Sequence, residues 1–158
     1  EFNNLIVTQT FSKAFGLAGI RLGACYADQQ VIDLLKKVKM PYNVNVLTQT
    51  KAAEYLQNEE ARKTEVNRII RNRSILKNEL QTLDMVKKIY KSDSNFLLVR
   101  FDDSNKRYDQ LIHKDIVVRN RTREPLCENC LRITVGTTAE NLKLIQTLRG
   151  LDKTTLKS

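Results

Sequence analysis

The sequence predicts a mixed α/β protein in which an α+β domain follows a short segment of strands and one helix. Three observations support this prediction. From Val46 onward, stretches with helical and with strand periodicity follow one another in the order α-β-β-α-β-β-α. A length of 158 residues with 41% hydrophobic content is enough to bury a core. Helices covering one face of a small sheet are the simplest packing of such elements.

The first part of the chain begins with two predicted strands. Alternating side chains predict strands over 5–10 and 22–27. Asp28 is a good N-cap for a following helix whose apolar residues recur at helical spacing. This helix should end before Pro41, because the residue preceding a proline disfavours helical geometry.

The second part is predicted to contain a long helical region over 46–83, with a break near Asn58 where apolar anchors are missing. Short alternating elements follow it. The remaining predicted elements are strands over 85–90 and 95–101, a helix over 106–114, strands over 116–119 and 131–135, and a closing helix over 138–148. In the last strand, Leu131, Ile133 and Val135 share one face, so Arg132 should point to the opposite face.

Composition limits the possible functions. No run of 18 apolar residues exists, so we expect neither a transmembrane helix nor a membrane partner. The net charge of +9 attracts anions, but the basic residues over 62–91 are typical of a solvated helix face. A nucleic-acid binder is disfavoured, since the sequence has no Trp, 6% aromatic residues and no recognition motif. Cys127 and Cys130 form one CxxC, which lacks the four ligands of a structural zinc site, so no metal site is expected.

The segment 10–23 is the densest in chemically useful residues. Lys13 follows a strand end and stands among aromatic and small residues, and a lysine in a partly desolvated site suits covalent chemistry with a carbonyl. Thr10, Ser12 and Arg21 could bind a phosphate. The residues alone equally allow a glycine-rich turn with a surface lysine.

The pattern Ser-Lys-x-x-x-x-Ala-Gly-x-Arg-x-Gly, from Ser12 to Gly23, resembles the cofactor-lysine motif of fold-type-I, pyridoxal-phosphate-dependent aminotransferases of classes I and II. The resemblance implies that Lys13 holds pyridoxal 5'-phosphate, that Ser12 and Arg21 bind the cofactor phosphate, and that Thr10 is a weaker candidate for that role. It also implies the C-terminal small domain of the PLP-dependent transferase fold plus the last strands of the large domain.

The segment 130–137, Cys-Leu-Arg-Ile-Thr-Val-Gly-Thr, is similar to the C-terminal strand of histidinol-phosphate aminotransferases. This resemblance implies that Arg132 clamps the substrate. Arg119 and Arg121 lie in the preceding predicted strand and loop, and could add charge for a substrate phosphate. Tyr42 is a candidate for the mouth of the pocket, with a packing role equally open.

Together the two resemblances predict residues 1–45 as a remnant of the large cofactor-binding domain and residues 46–158 as the small domain. The expected parent enzyme is cytoplasmic and homodimeric. It transfers the amino group of histidinol phosphate to 2-oxoglutarate, which yields imidazole acetol phosphate and glutamate. The chain should then be the C-terminal part of a longer enzyme, with little or no turnover alone. The alternatives are an aromatic aminotransferase, a phosphothreonine-type decarboxylase, or an inactive interaction module.

Overall fold

A computed structural model describes residues 2–155, with side chains described through residue 152. The chain divides into two compact units, Glu1–Val66 and Asn67–Ser158. The boundary between them lies within one long helix, α3. In the order of the chain the elements are β1 (Ile6–Thr10), β2 (Gly23–Ala27), α1 (Gln29–Val38), α2 (Val46–Leu56), α3 (Glu59–Leu80), β3 (Val86–Ile89), β4 (Phe96–Phe101), α4 (Ser104–Ile112), β5 (Arg119–Asn120), β6 (Cys130–Thr134) and α5 (Thr138–Thr155).

The first unit is organised around an antiparallel pair of strands. β1 and β2 run in register from Ile6 opposite Ala27 to Thr10 opposite Gly23. Asp28 caps α1 as predicted, since its carboxylate accepts a hydrogen bond from the Gln30 backbone N–H at 2.9 Å. The loop between β1 and β2 therefore has both ends held by strand pairing.

The predicted break in the long helical region is also confirmed. α2 ends at Leu56 and α3 begins at Glu59, and the side chain of Asn58 accepts from the Ala61 backbone N–H at 3.2 Å. An asparagine at this position satisfies an otherwise unpaired donor in the first turn of the new helix.

The second unit is a four-stranded antiparallel sheet in the order β3-β4-β6-β5. One face of the sheet packs on the helices. The core of this unit contains side chains from α3, α4 and α5, among them Leu76, Leu111 and Leu148, against strand residues such as Val99 and Ile133. The prediction that helices cover one face of a small sheet is therefore confirmed for this unit.

The strand predicted over 116–119 is wrong in its position, because β5 comprises only Arg119 and Asn120. The backbone N–H of Ile116 donates to the carbonyl of Leu111 at 3.0 Å, and Asp115 adopts a left-handed φ of 55°. These contacts keep the chain attached to the end of α4, so it joins the sheet only at Arg119.

A buried arginine at the start of α4 forms an ion pair with a partly exposed carboxylate. The Arg107 guanidinium, 1% exposed, donates to both carboxylate oxygens of Asp102, at 2.9 Å from Nε and 2.5 Å from Nη2. A third bond goes to Gln110 Oε1 at 3.0 Å. The hydrogen bonds from Arg107 lower the pKa of the Asp102 carboxyl below its usual value.

This ion pair predicts a pH-dependent stability. Because the pKa of Asp102 is lowered by folding, its contribution is fully present above the unfolded carboxyl pKa of about 3.9 and is lost as the pH falls through the lower folded value. Asp102→Asn should destabilise the fold by about 1–2 kcal/mol at neutral pH, since the buried Arg107 loses a charged partner that solvent partly screens. Urea unfolding between pH 2 and pH 7 measures both effects.

Asp93→Asn is the matched control, because Asp93 is exposed and forms no ion pair within residues 2–152. It should leave both the stability and its acid dependence unchanged. Equal pH profiles for Asp102→Asn and the unmodified chain would contradict the assignment of this stability to the ion pair.

Candidate active site

The loop that carries Lys13 is a short, internally hydrogen-bonded turn. The Phe11 backbone N–H donates to the Leu22 carbonyl at 3.1 Å, which closes the base of the loop. The Gly16 N–H donates to the Lys13 carbonyl at 2.8 Å, and Gly16 has a φ of 65° that favours glycine. Lys13 therefore stands at the top of a defined turn.

Two buried aromatic rings anchor this turn. Phe11 and Phe15 are each 7% exposed, and their ring centroids lie 4.7 Å apart. The guanidinium of Arg62 lies 4.9 Å from the centroid of the Phe15 ring. The rings flank Lys13 in the sequence and are turned inward, so the turn directs the lysine outward.

Lys13 itself is exposed. The partial desolvation expected for a lysine that reacts with a carbonyl is therefore not supplied by the described part of this chain. The aromatic neighbours that suggested an apolar site anchor the turn instead.

The candidate phosphate-binding residues all belong to the same loop. The Ser12 backbone N–H donates to Thr10 Oγ1 at 3.1 Å, whereas no hydrogen bond within residues 2–152 engages the Ser12 hydroxyl. Arg21 is exposed, has a φ of 55°, and donates from Nη1 to the Ala18 carbonyl at 3.0 Å. The loop thus presents a hydroxyl and a guanidinium beside Lys13, but Arg21 forms no hydrogen bond to Thr10 or Ser12.

There is a steric reason for glycine at position 23, the last glycine of the motif. A Cβ at this position would lie 3.2 Å from the Gln9 carbonyl oxygen on the paired strand. Glycine therefore allows the strands to approach closely at the point where the loop begins. Local packing therefore accounts for this part of the motif.

The candidate substrate arginines lie together in the second unit. Strand pairing places Arg132 on β6 directly opposite Arg119 on β5 and Leu98 on β4, on the sheet face that does not carry the buried side chains of β6. This confirms the predicted orientation of Arg132. Arg121 follows β5 directly and pairs with Glu124 at 3.2 Å.

The guanidinium of Arg132 has few groups around it that stabilise its positive charge. Its Nε atom is buried and has no hydrogen-bond partner within the described part of the chain. Its carbon Cζ lies 5.1 Å from the centroid of the Phe96 ring, which gives a cation–π contact. Burial lowers the pKa of Arg132, and the positive charges of Arg119 and Arg121 lower it further. An anion bound here would replace repulsion with attraction.

Tyr42 has a left-handed φ of 57° and is 98% exposed. It therefore packs against nothing in the described residues. The structure places Thr10, Ser12, Lys13, Arg21 and Tyr42 in the first unit. It places Arg119, Arg121 and Arg132 together in the second.

Sequence reasoning missed the contact of Phe96 with Arg132. The signal for it was the alternation of β4, which puts Phe96 and Leu98 on one face. Only the pairing of β4 with β6, with Phe96 opposite Thr134, brings that ring to the arginine. Knowledge of strand partners was therefore needed.

Two further observations limit the chemistry of the described residues. No three His, Cys, Asp or Glu side chains among them are grouped so that they could hold a metal ion. No helix among them is both long enough and apolar enough to cross a membrane. The three cysteines are free, with Cys130 buried and Cys127 partly buried.

Comparison with known proteins shows to which family the chain belongs. The family model described as aminotransferase class I and II matches residues 1–148. The chain is 55% identical over 152 residues to a histidinol-phosphate aminotransferase from Christiangramia forsetii, an alignment that covers 96% of this chain and 43% of the relative.

Solved structures share the fold. The histidinol-phosphate aminotransferase from Clostridium acetobutylicum matches with a TM-score of 0.87 at 23% identity, over 97% of this chain and 47% of that one. The enzyme from Sinorhizobium meliloti, solved in complex with pyridoxal-5'-phosphate, matches with a TM-score of 0.80 at 23% identity, over 94% and 42%. These likenesses confirm the predicted fold class. The chain spans less than half the length of these relatives, and it belongs to the aminotransferase class I and II family.

Proposed function

We propose that this chain is part of a pyridoxal-phosphate-dependent histidinol-phosphate aminotransferase and carries its cofactor lysine and its substrate arginines. The observation that carries the proposal is the desolvated Arg132, whose Nε atom has no partner among the described residues and whose charged neighbours are Arg119 and Arg121. A substrate with a phosphate or carboxylate group is the chemical complement of such a cluster.

The residues of the first unit fit the cofactor. Ser12 offers an unengaged hydroxyl and Arg21 a guanidinium for its phosphate, with Thr10 held beside Ser12. Lys13, at the top of the turn, would hold the cofactor through Nζ. When bound, pyridoxal phosphate supplies an electron sink for the bonds to the substrate α-carbon. Lys13 Nζ would also serve to take up and return the proton at that α-carbon.

The arginine cluster fits both proposed substrates. Histidinol phosphate has a phosphate and no carboxylate, whereas glutamate has an α-carboxylate. The planar guanidinium of Arg132 can donate two parallel hydrogen bonds to either group. Arg119 and Arg121 add positive charge that favours the more highly charged phosphate.

The proposed site needs groups beyond this chain. Lys13 and Tyr42 are exposed in the described residues, and the curated relatives are more than twice as long as the aligned region. We propose that the remaining cofactor contacts and the walls around Lys13 belong to the rest of the parent enzyme, which acts as a homodimer in the cytoplasm. The division into domains at 45/46 and a very low turnover of the isolated chain are parts of the same proposal.

The assignment of Lys13 predicts selective labelling. Incubation of the chain with pyridoxal phosphate, followed by borohydride reduction and peptide mass mapping, should attach the cofactor mainly to Lys13, since Ser12 and Arg21 retain the phosphate nearby. Arg21→Ala should reduce labelling at Lys13 about tenfold, through loss of a charged hydrogen bond.

Lys51 is the internal control for that experiment. It is an exposed lysine of the same unit, and Arg21→Ala should leave its slow labelling unchanged. Even labelling of the surface lysines, with no preference for Lys13, would contradict the proposed cofactor site in this chain.

The assignment of Arg132 predicts a loss of ligand binding on substitution. Arg132→Ala should weaken binding of histidinol phosphate, measured by isothermal titration calorimetry, by about tenfold to a hundredfold, since charge-assisted hydrogen bonds contribute about 1.5–3 kcal/mol. Arg71→Ala, at an exposed arginine of α3, should leave the dissociation constant unchanged. Equal effects of the two substitutions would indicate non-specific attraction by the net positive charge.

A further inference from the structure

The cluster of Arg119, Arg121 and Arg132 has to be held together against its own repulsion. Burial lowers the pKa of Arg132, and the positive charges of Arg119 and Arg121, which oppose its own charge, lower it further. Strand pairing contributes little, because β5 has only two residues, Arg119 and Asn120. Other contacts must therefore position the segment 119–122.

Two side-chain hydrogen bonds join this segment to the first turn of α4. The hydroxyl of Ser104, which is fully buried, lies 2.5 Å from the hydroxyl of Thr122. Asn120 Nδ2 donates to Asn105 Oδ1 at 2.8 Å. These two bonds lie on either side of Arg121 in the sequence and do not involve its side chain, which pairs with Glu124.

Hydrogen bonds donated by backbone N–H groups also hold the segment 119–122 in place. The Thr122 backbone N–H donates to Asn120 Oδ1 at 3.0 Å, so both residues that contact α4 are tied to each other. The Arg121 backbone N–H donates to the Cys130 carbonyl at 2.9 Å, which continues the contact with β6. Arg121 is therefore fixed through its backbone as well as through its neighbours.

The first turn of α4 is a firm support for these bonds. Asp103 caps the helix by accepting from the Lys106 backbone N–H at 3.0 Å, and the Ser104 N–H donates to Asn129 Oδ1 at 3.4 Å. One turn later, Arg107 is buried in its ion pair with Asp102. Ser104 and Asn105 thus belong to the part of α4 with the most anchoring contacts.

We propose that four residues hold the arginine cluster in place before an anion binds: Ser104, Asn105, Asn120 and Thr122. They are positioning residues, and this proposal rests on the proposed function of the cluster. By fixing the backbone on both sides of Arg121, they remove the cost of bringing three like charges together when the ligand binds. None of the four residues needs to touch the ligand. Their expected effect is on the affinity of the arginine cluster for a phosphate group.

The test is a comparison of Thr122 variants of the full chain, with inorganic phosphate as the probe. NMR shifts of the Arg132 Nε–H resonance report the dissociation constant, and backbone order parameters over 119–122 report rigidity. Thr122→Val, which keeps the shape and removes the hydroxyl, should raise the dissociation constant about threefold to tenfold, the equivalent of one lost hydrogen bond, and lower the order parameters. Thr122→Ser should restore both.

Thr147→Val is the matched control, because the Thr147 hydroxyl bonds only within α5, to the Lys143 carbonyl at 2.8 Å. It should match the unmodified chain in both measurements. Asn105→Ala, at an exposed position, provides a second variant if Thr122→Val fails to fold, and it should reproduce the weaker binding and the lower order parameters.

The outcomes separate the two proposals. Unchanged affinity and unchanged order parameters in the folded Thr122→Val or Asn105→Ala chain would overturn the positioning role. Lower order parameters with unchanged phosphate affinity would also overturn it, since the bonds would then serve stability alone. If phosphate leaves the Arg132 resonance of the unmodified chain unmoved, the proposed anion site fails, and the positioning role for an anion fails with it even where the order parameters fall.

Discussion

The cost of holding Arg132 with a buried, unpartnered Nε next to two other arginines is the constraint on which the second unit depends. A buried nitrogen without a hydrogen-bond partner opposes folding, and the neighbouring positive charges add to that cost. The structure offsets part of it through the ring of Phe96 and through a core of closely packed apolar side chains on the other face of the sheet. Within the described residues, the Nε atom of Arg132 stays without a hydrogen-bond partner.

The sheet separates stability from binding by its two faces. Alternation along β6 sends Leu131 and Ile133 into the core and Arg132 to the opposite side. The helices therefore stabilise the strand without covering the arginine. Arg107 is buried and paired with Asp102, whereas Arg132 has no anionic partner among the described residues.

The first unit differs from the second in how few of its side chains are buried. Its strands, its capped helix and its turn place Lys13 outward on a base of two buried phenylalanines, and little of the unit is buried beyond that base. The residues that would surround a cofactor are thus only in part present. This agrees with the coverage of less than half of each compared family member.

The sequence by itself determined the features that depend on neighbours along the chain. Local periodicity and capping chemistry predict the two strands on either side of Lys13, the Asp28 cap, the break at Asn58 and the outward direction of Arg132. Only the tertiary structure decided where β5 begins and that Lys13 is exposed. It also decided that Phe96, Arg119 and Arg121 surround Arg132. The reason is physical: strand pairing and burial depend on partners far apart in the chain, and periodicity carries no information about which strands are neighbours.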